Sequence, residues 1–184
     1  AYQGLGEGIE NDAIGVRTLL KKLDNLIICS SYSKNFGLYS ERVGCLIYHS
    51  KNMNNYSSVQ SNFKKVARTI YSNPPSHGSD IVKTILSDEK LKLLWVENLD
   101  AAKNRIINMR KSLVENLVKE NCSRNFEFII NQKGMFSFTG LTSDEVARLK
   151  EKFSIYIVNS GRINIAGVTS KNVNYIAKAI SSVT

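Results

Sequence analysis

The sequence predicts an α/β protein in two parts: a mostly parallel mixed sheet with helices, followed by a smaller α+β domain. Three observations carry this. Helical and strand periodicities alternate through the first half; one helical pattern from Leu91 to about Leu117 is too long for a small core; and beyond Asn121 short apolar runs alternate with two further helical patterns. The division expected is 1–100 and 101–184, joined by the long helix, which at 1.5 Å per residue is on the order of 40 Å long.

From Asp12 onward, Ile14, Val16, Leu19, Leu20 and Leu23 recur at helical spacing, with Asn11 or Asp12 as the N-cap. Leu26 to Cys29 is a short apolar run suited to a buried strand, and it stops at two serines, a lysine and a glycine-containing loop. Val43 to Tyr48 reads as the next strand. So few residues separate the two that a helical crossover has no room, so an antiparallel pair inside a mixed sheet is expected. Asn52 to Tyr71 is polar but periodic, with Met53, Tyr56, Val59, Phe63, Val66, Ala67 and Ile70 on one stripe, and it ends at Ser72-Asn73-Pro74-Pro75-Ser76-His77-Gly78. Proline removes a donor and restricts its predecessor, so this turn is stiff.

A short helix follows over Ile81, Val82, Ile85 and Leu86, then the long one. Past it, strands are expected at Phe126 to Ile130, Gly134 to Phe138, Ile155 to Val158 and Ile163 to Ala166. Helices are expected at Ser143 to Phe153, opened by a Thr/Ser-Asp-Glu cap, and at Lys171 to Val183.

Composition excludes several classes. The chain has 184 residues, 42% of them hydrophobic, so a packed core is affordable in size. No run of about 18 apolar residues occurs, so no membrane span is expected. The net charge of +9 is spread among acids on amphipathic patterns, which argues against nucleic acid. Cys29, Cys45 and Cys122 lie far apart with only His49 and His77 beside them, so neither a metal site nor a disulfide framework is expected, and Cys29 and Cys45 read as buried. The start, Ala1 to Gly8, has no initiator Met and no signal-peptide pattern. A cytoplasmic setting is the default expectation from cysteine usage.

The chemistry concentrates after the first strand. Ser31, Lys34 and Arg42 crowd the strand end, where open α/β sheets bind ligands. A serine hydroxyl and an arginine fork hold a phosphate, and a lysine amine attacks a carbonyl. Phosphate plus aldehyde is the chemistry of pyridoxal phosphate. Farther on, Ser160-Gly161-Arg162-Ile163-Asn164 sets an arginine at the mouth of a strand after a glycine that admits close approach.

The stretch Ser31-Tyr32-Ser33-Lys34-Asn35-Phe36-Gly37-Leu38-Tyr39-Ser40-Glu41-Arg42-Val43-Gly44 closely resembles the lysine motif of the aspartate aminotransferases, a class I, fold type I pyridoxal-phosphate-dependent family. Ala1 to Gly4, Tyr71 to Gly78, Gly134 to Phe138 and Ser160 to Gly167 resemble further stretches of that family, in family order and from end to end of the chain. The match is to the C-terminal half of such an enzyme.

The resemblance implies the following roles. Lys34 forms the Schiff base with pyridoxal 5'-phosphate; Ser31 and Arg42 bind its phosphate; Tyr2 hydrogen-bonds its phenolic oxygen. Arg162 takes the substrate α-carboxylate, Arg68 reaches the other subunit's site for the distal carboxylate, Phe136 lines the substrate pocket, and Ser72 contacts the partner's cofactor. It further implies a homodimer with shared active sites, dicarboxylic amino acids and 2-oxo acids as substrates, and transamination between L-aspartate and 2-oxoglutarate. The family's aspartate that pairs with the pyridine nitrogen would lie just before Ala1, so this chain alone is expected to be inactive. Two alternatives stay open: an aromatic amino acid aminotransferase of the same fold, and a basic non-catalytic module binding phosphate or nucleic acid.

Overall fold

The computed structural model describes residues 1–52 and 54–184. Met53, assigned above to an apolar stripe, lies outside the described residues. The elements run α1 (Ile9–Asp12), α2 (Ile14–Lys22), β1 (Asn25–Ser31), β2 (Gly44–Ser50), α3 (Tyr56–Tyr71), α4 (His77–Ser87), α5 (Glu89–Lys119), β3 (Phe136–Phe138), α6 (Ser143–Phe153), β4 (Arg162–Asn164) and α7 (Val173–Val183). They form two compact units, one of Ala1 with Glu10–Glu97, the other of Tyr2–Ile9 with Asn98–Thr184.

In the first unit β1 and β2 pair antiparallel, in register from Asn25 opposite Ser50 to Ser31 opposite Gly44. The short loop between them leaves no other pairing, as expected. Gly44 is required there, because a Cβ on it would stand 2.7 Å from the Ser30 carbonyl oxygen. This hairpin is the whole sheet: among the described residues the strands of both sheets pair antiparallel, and the parallel strands of the expected mixed sheet are not among them. α3 lies along the hairpin, with Phe63 edge-on to Tyr48 at 6.1 Å between ring centroids. The unit leaves Ile27, Leu46 and Ile47 of the hairpin and Val66 and Ile70 of α3 exposed. Cys29, expected to be buried, is also exposed, because it falls on the open face of β1. α2 is capped by Ala13 instead of Asn11 or Asp12, since those residues are taken up in the short α1.

α5 runs for 31 residues without Gly or Pro, which explains its length, and no helix among the described residues is long and apolar enough to cross a membrane. In the second unit its buried stripe of Leu99, Ile106, Leu113, Val114 and Leu117 meets Ile129, Leu149, Ile165 and Val168 in the core. β3 and β4 form a short ribbon, Phe136 opposite Asn164 and Phe138 opposite Arg162. Two expected strands are absent. Residues 127–131 form a 3-10 turn, opened by the Asn125 side chain accepting from the Glu127 N–H at 2.7 Å, with Phe126 and Ile129 buried three apart. Ile155 to Val158 has the alternating burial of a strand but no ladder partner among the described residues. Of Ile163 to Ala166 only the start is strand; Ile165–Gly167 turns as 3-10, capped by the Asn164 side chain.

The expected cap of α6 is present as a full capping box. Thr142 Oγ1 accepts from the Glu145 N–H at 3.3 Å, and Glu145 accepts from the Thr142 N–H at 2.7 Å. Arg124 adds a two-pronged contact to the same carboxylate, at 2.6 and 3.2 Å. Burial pushes Glu145 up, but the Arg124 and Thr142 hydrogen bonds outweigh it and hold the carboxyl below its ordinary value. Its stabilisation is therefore complete above the ordinary carboxylate range and is lost as pH falls through the lowered folded value. Glu145→Gln, which keeps the cap and removes the charge, is expected to cost about 1–3 kcal/mol at neutral pH. Chemical denaturation followed by circular dichroism should show that difference shrinking at acid pH.

Candidate active site

The loop from Tyr32 to Val43 joins β1 to β2, and the hairpin register brings its two ends together: the Tyr32 N–H donates to the Val43 carbonyl at 3.1 Å. Ser31 therefore stands across from the segment that carries Arg42. Ser31 Oγ accepts from the Ser33 N–H at 3.2 Å and lies 3.0 Å from Ser33 Oγ, a local turn that ends the strand and directs the chain toward Lys34. Gly37, at φ +67°, donates to the Lys34 carbonyl at 3.2 Å and closes the turn that carries the lysine.

Aromatic packing fixes this turn. Trp95, from the start of α5, stacks on Phe36 at 4.5 Å between centroids, and its Nε1 donates to the Asn35 carbonyl at 2.8 Å. Tyr32 closes on the other side of Phe36, edge-on at 5.2 Å. Asn35 is buried, and its Oδ1 has no hydrogen-bond partner among the described residues. The Lys34 amine rests 4.1 Å from the centre of the Tyr39 ring. The Tyr39 carbonyl in turn accepts from Arg42 Nη1 at 3.0 Å, and Arg42 holds a left-handed φ of 51°. Tyr39 thus links the lysine to the arginine. Neither Tyr39 nor Trp95 stands out in the sequence, Trp95 falling within the long helical pattern from Leu91 to about Leu117.

Three predicted site residues, Ser31, Lys34 and Arg42, share this end of the hairpin. The loop carries one carboxylate, Glu41, and His77 takes it, Nδ1 to Oε2 at 3.0 Å. α4 begins there, with Gly78 so close that a Cβ would stand 2.9 Å from Glu41 Cβ. Arg68 is exposed in the last turn of α3, and no described contact joins it to Lys34, Ser31 or Arg42. Ser72 caps that helix at φ 62°, its N–H donating to the Arg68 carbonyl at 2.8 Å.

In the second unit three more predicted residues form a stack. The Arg162 guanidinium lies over the Phe136 ring, 4.7 Å from its centre, and Tyr2 meets the same ring edge-on at 6.1 Å. Tyr2 is held by the turn in which its carbonyl accepts from the Leu5 N–H at 2.9 Å, with Leu5 buried. Arg162 forms no ion pair among the described residues, so its fork is available to an anion. No group of three or more His, Cys, Asp or Glu capable of holding a metal occurs among the described residues.

Within the first unit, a lysine amine, a serine hydroxyl and an arginine fork on one loop form a donor set suited to a phosphate and a carbonyl; within the second, Arg162 on its ring is suited to a carboxylate. Residues 1–180 match the family described as aminotransferase class I and II, and the chain belongs to that family. It is 46% identical over 183 residues to an aspartate aminotransferase of Salmonella typhi, covering all of this chain and 46% of that protein. Its structure superposes with a TM-score of 0.96, at 45% identity, on an aromatic-amino-acid aminotransferase from Burkholderia pseudomallei covalently bound to pyridoxal phosphate, covering all of this chain and 46% of that one. A mitochondrial aspartate aminotransferase from Trypanosoma brucei gives 0.97 at 36% identity, covering all of this chain and 49% of that one. The fold is that of part of a pyridoxal-phosphate-dependent aminotransferase, and the chain spans about half the length of the relatives it matches.

The Glu41 hydrogen bond, then its charge, raises the His77 pKa; Asp80 adds to this and desolvation opposes it. The ion pair is therefore complete below the ordinary histidine pKa and is lost as pH rises through the raised folded value. In an NMR titration of the His77 ring, Glu41→Gln should bring its pKa back toward the ordinary 6.5.

Proposed function

We propose that this chain is the lysine-bearing part of a pyridoxal-phosphate-dependent aminotransferase that transfers the amino group between L-aspartate and 2-oxoglutarate, giving oxaloacetate and L-glutamate. The single observation that carries this reading is the hairpin loop that gathers Ser31, Lys34 and Arg42 in a chain of this family. The loop suits the cofactor chemically: it offers a hydroxyl, a guanidinium and an amine, and its one carboxylate is already taken by His77.

Ser31 Oγ and the Arg42 fork would hold the phosphate, and Lys34 Nζ would hold the aldehyde carbon. Pyridoxal phosphate, when bound, supplies the conjugated ring that accepts electron density as a bond at the substrate Cα is broken. With substrate in place, the Lys34 amine would move a proton at the substrate Cα. Resting on the Tyr39 ring keeps the amine near one position before it acts, which spares orientation cost. Arg162, seated on Phe136, takes the α-carboxylate by a bidentate fork, and Tyr2 donates to the cofactor's phenolic oxygen.

Arg68 serves the site of a second copy in a homodimer. It is exposed, and it sits among the exposed apolar residues Val66, Ile70 and Tyr71, the composition of a subunit contact. Ser72, beside it, belongs to the same contact. Two arginines that each take one carboxylate select dicarboxylic substrates, since leaving either fork unpaired in a dry site costs several kcal/mol. The likeness to an aromatic-amino-acid aminotransferase favours a second reading, with aromatic amino acids as substrates; comparing aspartate with phenylalanine kinetically decides between them.

The direct test is to reduce the protein with borohydride in the presence of pyridoxal phosphate and map the adduct by peptide mass spectrometry. The adduct is expected on the Lys34 peptide and is expected to be lost in Lys34→Ala. Modification spread over surface lysines, unchanged in that variant, would contradict the assignment.

A further inference from the structure

The ribbon that carries Phe136 and Arg162 has three residues in each strand, too few to fix its own placement. Its inner face shows Ser137, 1% exposed, opposite the buried Ile163; its outer face shows Phe136, Phe138 and Arg162. Because side chains alternate along a strand, a slip of one residue would turn Phe136 inward and take the seat away from Arg162.

Two arginines of α5 hold this ribbon to the helix. Arg105 donates to the carbonyls of Ala166 and Val168, at 3.1 and 2.9 Å, just after β4. Arg110 is 2% exposed; its Nε donates to Ser137 Oγ at 3.1 Å and its Nη2 to the Gly134 carbonyl. Arg110 has no ion pair among the described residues, so a buried cation is held by neutral acceptors alone. As a device for stability this is a poor one, because an apolar side chain of like volume avoids the desolvation cost. As a device for placement it is effective, because a planar fork with fixed donor directions accepts only one position of the strand.

We infer that Arg110 is a positioning residue of the carboxylate clamp: through Gly134 and Ser137 it fixes the face that β3 presents, and so the place where Phe136 seats the Arg162 guanidinium. This rests on the carboxylate role proposed for Arg162. Nothing in the local sequence marks Arg110, which reads as one more polar position in a long helix.

The test uses succinate, a dicarboxylate without an amino group, titrated into the full protein and its Arg110→Met, Ser137→Ala and Arg162→Leu variants. The Arg162 side-chain NMR resonance, shifted by the Phe136 ring, is recorded in parallel. Removing the Arg110 contacts is expected to weaken succinate binding about tenfold, and Ser137→Ala about threefold, with the Arg162 shift relaxing toward its free value in both. Should Arg110→Met not fold, Ser137→Ala decides alone. Unchanged binding together with an unchanged Arg162 shift in the folded variants overturns the inference. If Arg162→Leu binds succinate as the wild type does, the carboxylate role itself has failed, and the Arg162 shift still decides whether Arg110 places the guanidinium.

Discussion

Both clusters of site residues depend on side chains fixed to one helix, α5. At its start Trp95 stacks on Phe36 and donates to the Asn35 carbonyl, which pins the turn bearing Lys34. Within the second unit Arg105 and Arg110 hold the two strands that bear Arg162 and Phe136. Within each unit the helix serves well as an anchor because its side chains leave it at fixed rise and angle. Rigid support is what a site with reacting groups on short loops requires, since small displacements of a reacting atom are costly in rate.

The electrostatics point the same way. Lys34, Arg42 and Arg162 are cations seated on an aromatic ring or a backbone carbonyl, without carboxylate partners among the described residues. The acid beside Arg42 in the loop, Glu41, is engaged by His77. Cations left in this condition recruit anions, which is the property the proposed phosphate and carboxylate roles require of them. The same pattern argues against a nucleic-acid surface, which would array such residues along a groove instead of seating them singly on rings.

Legibility in the sequence followed the range of the interactions. The capping box at Thr142 and Glu145 and the helical stripes come from neighbours a few residues apart, and the β1–β2 hairpin joins strands that follow one another in the chain, so each could be read directly. The lysine loop was legible for the same reason, with Ser31, Lys34 and Arg42 inside one short stretch. Residues 126–130 were misread because an apolar run satisfies strand and 3-10 turn equally, and the Asn125 side-chain bonds to Glu127 that open the turn carry no apolar signal. Ile155 to Val158 kept a strand's alternation but found no partner strand. Trp95 and Arg110 were missed because their partners lie 60 and 27 residues away, and neither residue type nor spacing announces such a contact.

In the proposed function the loop from Ser31 to Arg42 receives the phosphate of pyridoxal phosphate while Lys34 holds its aldehyde carbon. Phosphorus NMR of the protein with bound cofactor, followed across pH, tests it most directly. A phosphate gripped by the Ser31 hydroxyl and the Arg42 fork should give a resonance that stays at the dianion position through the range where free phosphate esters titrate, at a pKa of about 6. Replacing either residue should restore titration. A wild-type resonance that titrates like the free cofactor would contradict the account.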